Sequence, residues 1–132
     1  MEQAGQQQDL AIHYRRLFSQ KLKLEDLARL YNGYAWLLAT TPDKEINARR
    51  EEEAIRYARL ACNADTKPNS GYLDTLAAAY ANAGQFDQAI ESQNQAIACG
   101  KAEEMEELKA HLQLYQNKQP LRIAPQKLKA MP

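Results

Sequence analysis

Little in this chain interrupts a helix. Its 132 residues include only five glycines and five prolines, against an abundance of Ala, Leu, Gln, Glu, Lys and Arg. Those six types lose little side-chain freedom in a helix, so the composition points to an all-α protein. Cysteine is scarcer still. Cys62 and Cys99 are separated by 36 residues and have no Cys-x-x-Cys neighbour, which removes the spacing a zinc cage or a redox pair needs. Two buried free thiols are expected, or a disulfide if the chain is exported. An excess of one charge is missing as well. Lys plus Arg and Asp plus Glu are both 17, so no long-range field draws the protein to nucleic acid or to an anionic membrane.

Long apolar runs are absent too. The longest is Ala35-Trp36-Leu37-Leu38-Ala39, and the first eight residues are polar or small, so neither a membrane span nor a signal peptide is visible. The expected compartment is the cytoplasm, the alternative being an exported form whose signal has been removed. The chain has no Gly-x-Ser-x-Gly turn and no Gly-x-x-x-x-Gly-Lys loop. His13 and His111 are lone histidines without a second ligand at metal spacing. No enzymatic activity, cofactor or metal is therefore expected.

What is present is a repeated pattern. Leu73, Leu76, Ala77 and Tyr80 recur at steps of three and four, which stacks them on one helical face. Gly84 follows as a residue able to take the left-handed conformation that ends a helix. Ala89 and Ala96 then lie seven apart, where small side chains let two helix backbones approach closely. Tyr31, Tyr34, Ala35 and Leu38 match the first four positions at an offset of 42, whereas Ala54 and Ala61 match the two alanines at an offset of 35. The difference, 42 − 35 = 7, is an insertion within residues 40–50, after Pro42 has ended the first helix. Asn69 or Ser70 can cap the helix that follows Pro68.

The segment Leu73-Leu76-Ala77-Tyr80-Gly84-Phe86-Ala89-Ala96 resembles a tetratricopeptide repeat, of a small bacterial type, with Leu73 in place of the usual Trp and Lys101 where the family often closes with Pro. The resemblance covers residues 28–100. It implies a right-handed superhelix of antiparallel helix pairs, an α-solenoid with capping helices at both ends. The expected organisation is a flexible N-terminus over 1–8 and one domain over 9–118. Within it, repeats span about 28–66 and 70–101 and a capping helix about 102–117. A mobile basic tail over 119–132 carries Arg122, Lys127 and Lys129. Asp9-Leu10-Ala11-Ile12 echoes Asp87–Ile90, as if the first helix were half of a truncated repeat, with Phe18 where the second Ala belongs.

The resemblance further implies a concave surface that holds a peptide or helix of another protein, lined by Arg29, Asn32, Gly33, Trp36 and Thr40 from the first repeat and by Gly71, Asp74, Thr75, Ala78, Ala81 and Asn82 from the second. Trp36 is either an anchor for a partner or a packing residue beneath the first helix, and Tyr72 faces the same alternative. Asp74 either meets a partner's cation or serves the helix dipole. Glu103, Glu104, Glu106 and Glu107 read as a solvated first turn, and Glu52 with Arg56 as an i,i+4 surface pair. The expected partner is another protein or peptide, with neither nucleic acid nor membrane. Alternatives are a homo-oligomer joined through the ends of the solenoid and a regulatory domain of a larger enzyme.

Overall fold

A computed structural model describes residues 2–19 and 23–123, and the regular structure among them is helical throughout. The helices are α1 (Glu2–Phe18), α2 (Leu24–Thr40), α3 (Lys44–Arg49), α4 (Glu51–Ala64), α5 (Ser70–Asn82), α6 (Phe86–Cys99) and α7 (Met105–Gln116), with one 3-10 turn at Ala102–Glu104. No helix is long and apolar enough to cross a membrane.

Local chemistry explains most of the boundaries. Thr41, followed by Pro42, stops α2, and the Asp43 carboxylate accepts from the Glu45 amide to start α3. Asn69, not Ser70, caps α5 by accepting from the Tyr72 amide at 3.1 Å. Ser70 instead donates to Glu104 at 3.1 Å, and Glu104 also accepts from the Lys101 amide, so this acid ties the start of α7 to the start of α5. Gly84 has φ 79°, and the Gln85 amide donates to the Tyr80 carbonyl at 2.9 Å, the six-to-one closure of a left-handed helix stop. α7 ends the same way without a glycine. Lys118 has φ 57°, and the Gln119 amide reaches the Leu114 carbonyl at 3.0 Å.

α2 packs extensively on α4 and α5 on α6, while α5 also touches both α2 and α4, α7 lies on α6, and α1 lies on α2. The seven extra residues supply the short helix α3 between α2 and α4. Positions matched by sequence share their environment: Ala35 and Ala77, Ala54 and Ala89, and Ala61 and Ala96 are all fully buried. Phe18 departs from this pattern for a visible reason. Its ring lies 5.2–5.5 Å from those of Tyr31, Tyr34 and Tyr57, so the end of α1 packs through an aromatic cluster where α4 and α6 present alanine. Tyr34 is the centre of that cluster. Its hydroxyl donates to Glu53 at 2.6 Å and accepts from Arg15 at 3.0 Å, joining α1, α2 and α4. Burial, and then the bond to Glu53, raise the phenol well above its ordinary range.

Several expectations change. The helix begins at Glu2, and Gln7 is buried beneath α2, so residues 2–8 continue α1 in place of a flexible start. Residues 119–123 pack on the domain, with Leu121 buried, while Lys127 and Lys129 lie outside the described residues. Arg56 lies over the Tyr57 ring at 5.3 Å and forms no ion pair with Glu52. Both cysteines are free, but only Cys62 is sheltered; Cys99 is exposed because it is the last residue of α6 and faces away from its alanine seam.

Gly84→Ala should cost about 1 kcal/mol, because the left-handed backbone resists a Cβ although nothing crowds it. Lys118→Gly should gain up to about 1 kcal/mol for the mirror-image reason, both read from urea midpoints. Burial pushes the Cys62 thiol up to about 11, so only about 0.1% is thiolate at pH 8. Iodoacetamide followed by mass spectrometry should modify Cys99 first, and Cys62 should accelerate as pH rises toward 11.

Candidate functional site

Gly33 of α2 takes the Tyr14 side chain of α1 against its backbone, and a Cβ there would fall 2.5 Å from the Tyr14 hydroxyl. Between the two helices lies a cavity of about 410 Å³. Its walls are Leu10 and Tyr14 from α1 and Asn32, Trp36 and Leu37 from α2, with Ile123 from the C-terminal segment at one end. Thr41 donates to Gln7 beside it, a buried hydrogen bond that ties the start of α1 to the end of α2. The Asn32 side-chain oxygen is buried in this region and has no hydrogen-bond partner. Apolar walls around a half-buried indole suit an apolar or aromatic side chain.

Four of the eleven expected groove residues meet here, all from α2. Asn32, Gly33, Trp36 and Thr40 line the cavity together. Arg29 does not join them; it is exposed and pairs with Asp26 at 2.5 Å one turn earlier on the same helix. The residues expected from α5 serve the interior. Asp74 accepts from His111 Nδ1 at 2.8 Å and from Gln93 Nε2 at 2.9 Å, and that same amide nitrogen also donates to the Leu108 carbonyl at 2.9 Å. This network crosslinks α5, α6 and α7. Thr75 is buried and bonds back to the Gly71 carbonyl at 3.1 Å. Ala78 and Ala81 are buried in the core cluster that also holds Tyr115 and Leu121. Asn82 donates to the Asn47 carbonyl and accepts from Arg122, both at 2.9 Å. Tyr72 remains half-buried, and its phenol is raised by burial, with Asp65 adding to the shift.

His111, lone in the sequence, is thus a buried partner of Asp74 across 37 positions, and its ring lies 6.2 Å from that of Trp36. The network therefore abuts the cavity. Leu10, Tyr14, Leu37 and Ile123 escaped the sequence reading. Leu10 and Tyr14 do stand at i,i+4, a signal that they share a face, but nothing local shows that the face is opposite Trp36.

Two of the other depressions are more open and hold arginines with partners. One holds Arg15 and Arg50, both paired with Glu53 at 3.5 and 3.1 Å. The other holds Arg59, which donates to the Tyr80 hydroxyl at 2.6 Å. Among the described residues no group of three or more His, Cys, Asp or Glu side chains is placed to hold a metal ion. No family model, no curated protein and no solved structure matches the chain.

Asp74→Ala leaves the Gln93 and His111 donors without their shared acceptor and should cost about 2 kcal/mol in thermal melts. Arg29→Ala, on the exposed face, should stay within about 0.5 kcal/mol of the parent.

Proposed function

We propose that this chain is a tetratricopeptide-type helical-repeat domain that binds a peptide or helix of another protein, with the cavity between α1 and α2 as its anchor pocket. The observation that carries this reading is half-buried Trp36 in an apolar cavity between two helices. A volume of about 410 Å³ lies within the range of ligand-sized pockets and accommodates an aromatic or long aliphatic side chain. Trp36, Leu10 and Leu37 would supply contact area for that anchor.

The repeat reading draws support from the paired burial of Ala35 with Ala77, Ala54 with Ala89 and Ala61 with Ala96, and from packing that runs mainly between neighbouring helices. End-to-end assembly draws less. The exposed large apolar residues Ile12, Leu24 and Leu60 sit on three different helices, α1, α2 and α4, and none is on α7. Scattered single residues of this kind are ordinary on a monomer's surface.

The test is affinity capture from native extract by the intact chain and by Trp36→Ala and Asn32→Ala, each first shown by circular dichroism to be equally helical. Trp36→Ala should weaken binding of the captured partner by about 30-fold, the effect of losing one aromatic anchor. Full capture by a folded Trp36→Ala would remove the cavity from the interface.

A further inference from the structure

After the left-handed turn at Lys118 the chain reverses and runs back to the far ends of α2 and α5. Three contacts hold it there. Leu121 is buried at 8% exposure. The Arg122 guanidinium donates from one nitrogen to the Ala39 carbonyl and from the other to the Asn82 side-chain oxygen, both at 2.9 Å. The Ile123 amide donates to the Thr40 carbonyl at 2.9 Å.

The receiving groups form a site because of where they lie. Ala39 and Thr40 belong to the last turn of α2, where carbonyls lack an intrahelical donor and the helix dipole presents its negative end. Asn82 is the last residue of α5, so two helix C-termini converge on one guanidinium. The Asn82 amide nitrogen is already committed to the Asn47 carbonyl, which leaves its oxygen facing the arginine. A planar cation with two separated donors can bridge a main-chain carbonyl and a side-chain amide at once, and an ammonium group cannot do so with the same geometry. Burial lowers the Arg122 pKa, as expected for a cation partly withdrawn from water. Ile123, the next residue, also lines the cavity beside Trp36, so the segment connects the two places.

We infer that the acceptors Ala39 O, Thr40 O and Asn82 Oδ1 are a binding site for an extended segment of pattern apolar–Arg–apolar, occupied in the free chain by its own Leu121-Arg122-Ile123, and that a partner segment of the same pattern takes the site by displacing it. This rests on the protein-binding reading and names the partner's chemistry. An attached segment competes at an effective concentration in the millimolar range, so a partner succeeds by adding contacts that the chain's own segment lacks. The cavity that Ile123 borders is where those contacts are available.

The probe is an acetylated, amidated peptide with the sequence of residues 118–123, titrated into the full ¹⁵N-labelled chain and into the full-length double variant Leu121→Ser/Arg122→Ala, with Arg122→Ala alone as the milder variant should the double one lose helicity. The variants should lose hydrogen-exchange protection at the Ile123 amide and bind the peptide at least tenfold more tightly than the parent, with shifts at Ala39, Thr40 and Asn82. A peptide with Gln in place of Arg should bind at least tenfold more weakly. Unprotected variants that ignore the peptide, persistent protection of Ile123 in the double variant, or equal binding of the Gln peptide would each overturn the inference. A parent that dimerises with concentration, and a double variant that does not, would reassign the occupant to a second copy and overturn the partner assignment. Unchanged capture by Trp36→Ala would fail the cavity reading alone, because the peptide titration reads the ends of α2 and α5 directly.

Discussion

Close approach of helix backbones across alanine is the constraint from which the rest of this structure follows. Ala35 and Ala39 of α2, Ala54 and Ala58 of α4, Ala77 to Ala79 of α5, and Ala89 and Ala96 of α6 are all fully buried. A methyl group fills little volume, so a seam made of such residues is dense only if the helices lie very near one another. Proximity then fixes what can stand at the edges of each seam. α1 brings Phe18 and Tyr14 to its contact with α2, and a cavity lies between the two helices.

The same constraint accounts for the fate of α5. A helix whose inner positions are alanines cannot by itself cover a core, and Tyr115 and Leu121 complete the cluster around it from the C-terminal part of the chain. Once α7 is in place, Asp74 is withdrawn from solvent and needs donors, which His111 and Gln93 provide. Such a network ties three helices into one register, because a buried carboxylate without its partners is costly. Polar residues that a groove would present outward are therefore turned inward by the capping helix.

Function, on the reading proposed, concentrates at the two places the alanine seams leave open. One is the cavity under Trp36, with walls that are largely apolar. The other is the pair of helix ends that Arg122 bridges. Ile123 belongs to both, so occupancy of one bears on access to the other. The segment is held by hydrogen bonds that are each individually weak, together with the buried side chain of Leu121.

The sequence by itself determined the helical class, the matched alanine positions, the stop at Gly84, the end of α2 before Pro42 and a cap at either Asn69 or Ser70. Each of these is local: a period of 3.6 residues, a backbone angle or a side chain reaching two or three residues along the chain. It also brought Asn32 and Trp36 to one surface, because they stand four apart on one helix. Only the tertiary structure decided that Asp74, Thr75 and Ala78 face inward, that Asn82 is engaged by Asn47 and Arg122, that Leu10, Tyr14 and Ile123 complete the cavity, and that residues 119–123 fold back. Those outcomes depend on contacts across 37 positions for His111 and Asp74 and across 83 for Arg122 and Ala39. Periodicity names the face a residue occupies, but whether that face meets water, a partner or the chain itself is set by elements far away in sequence.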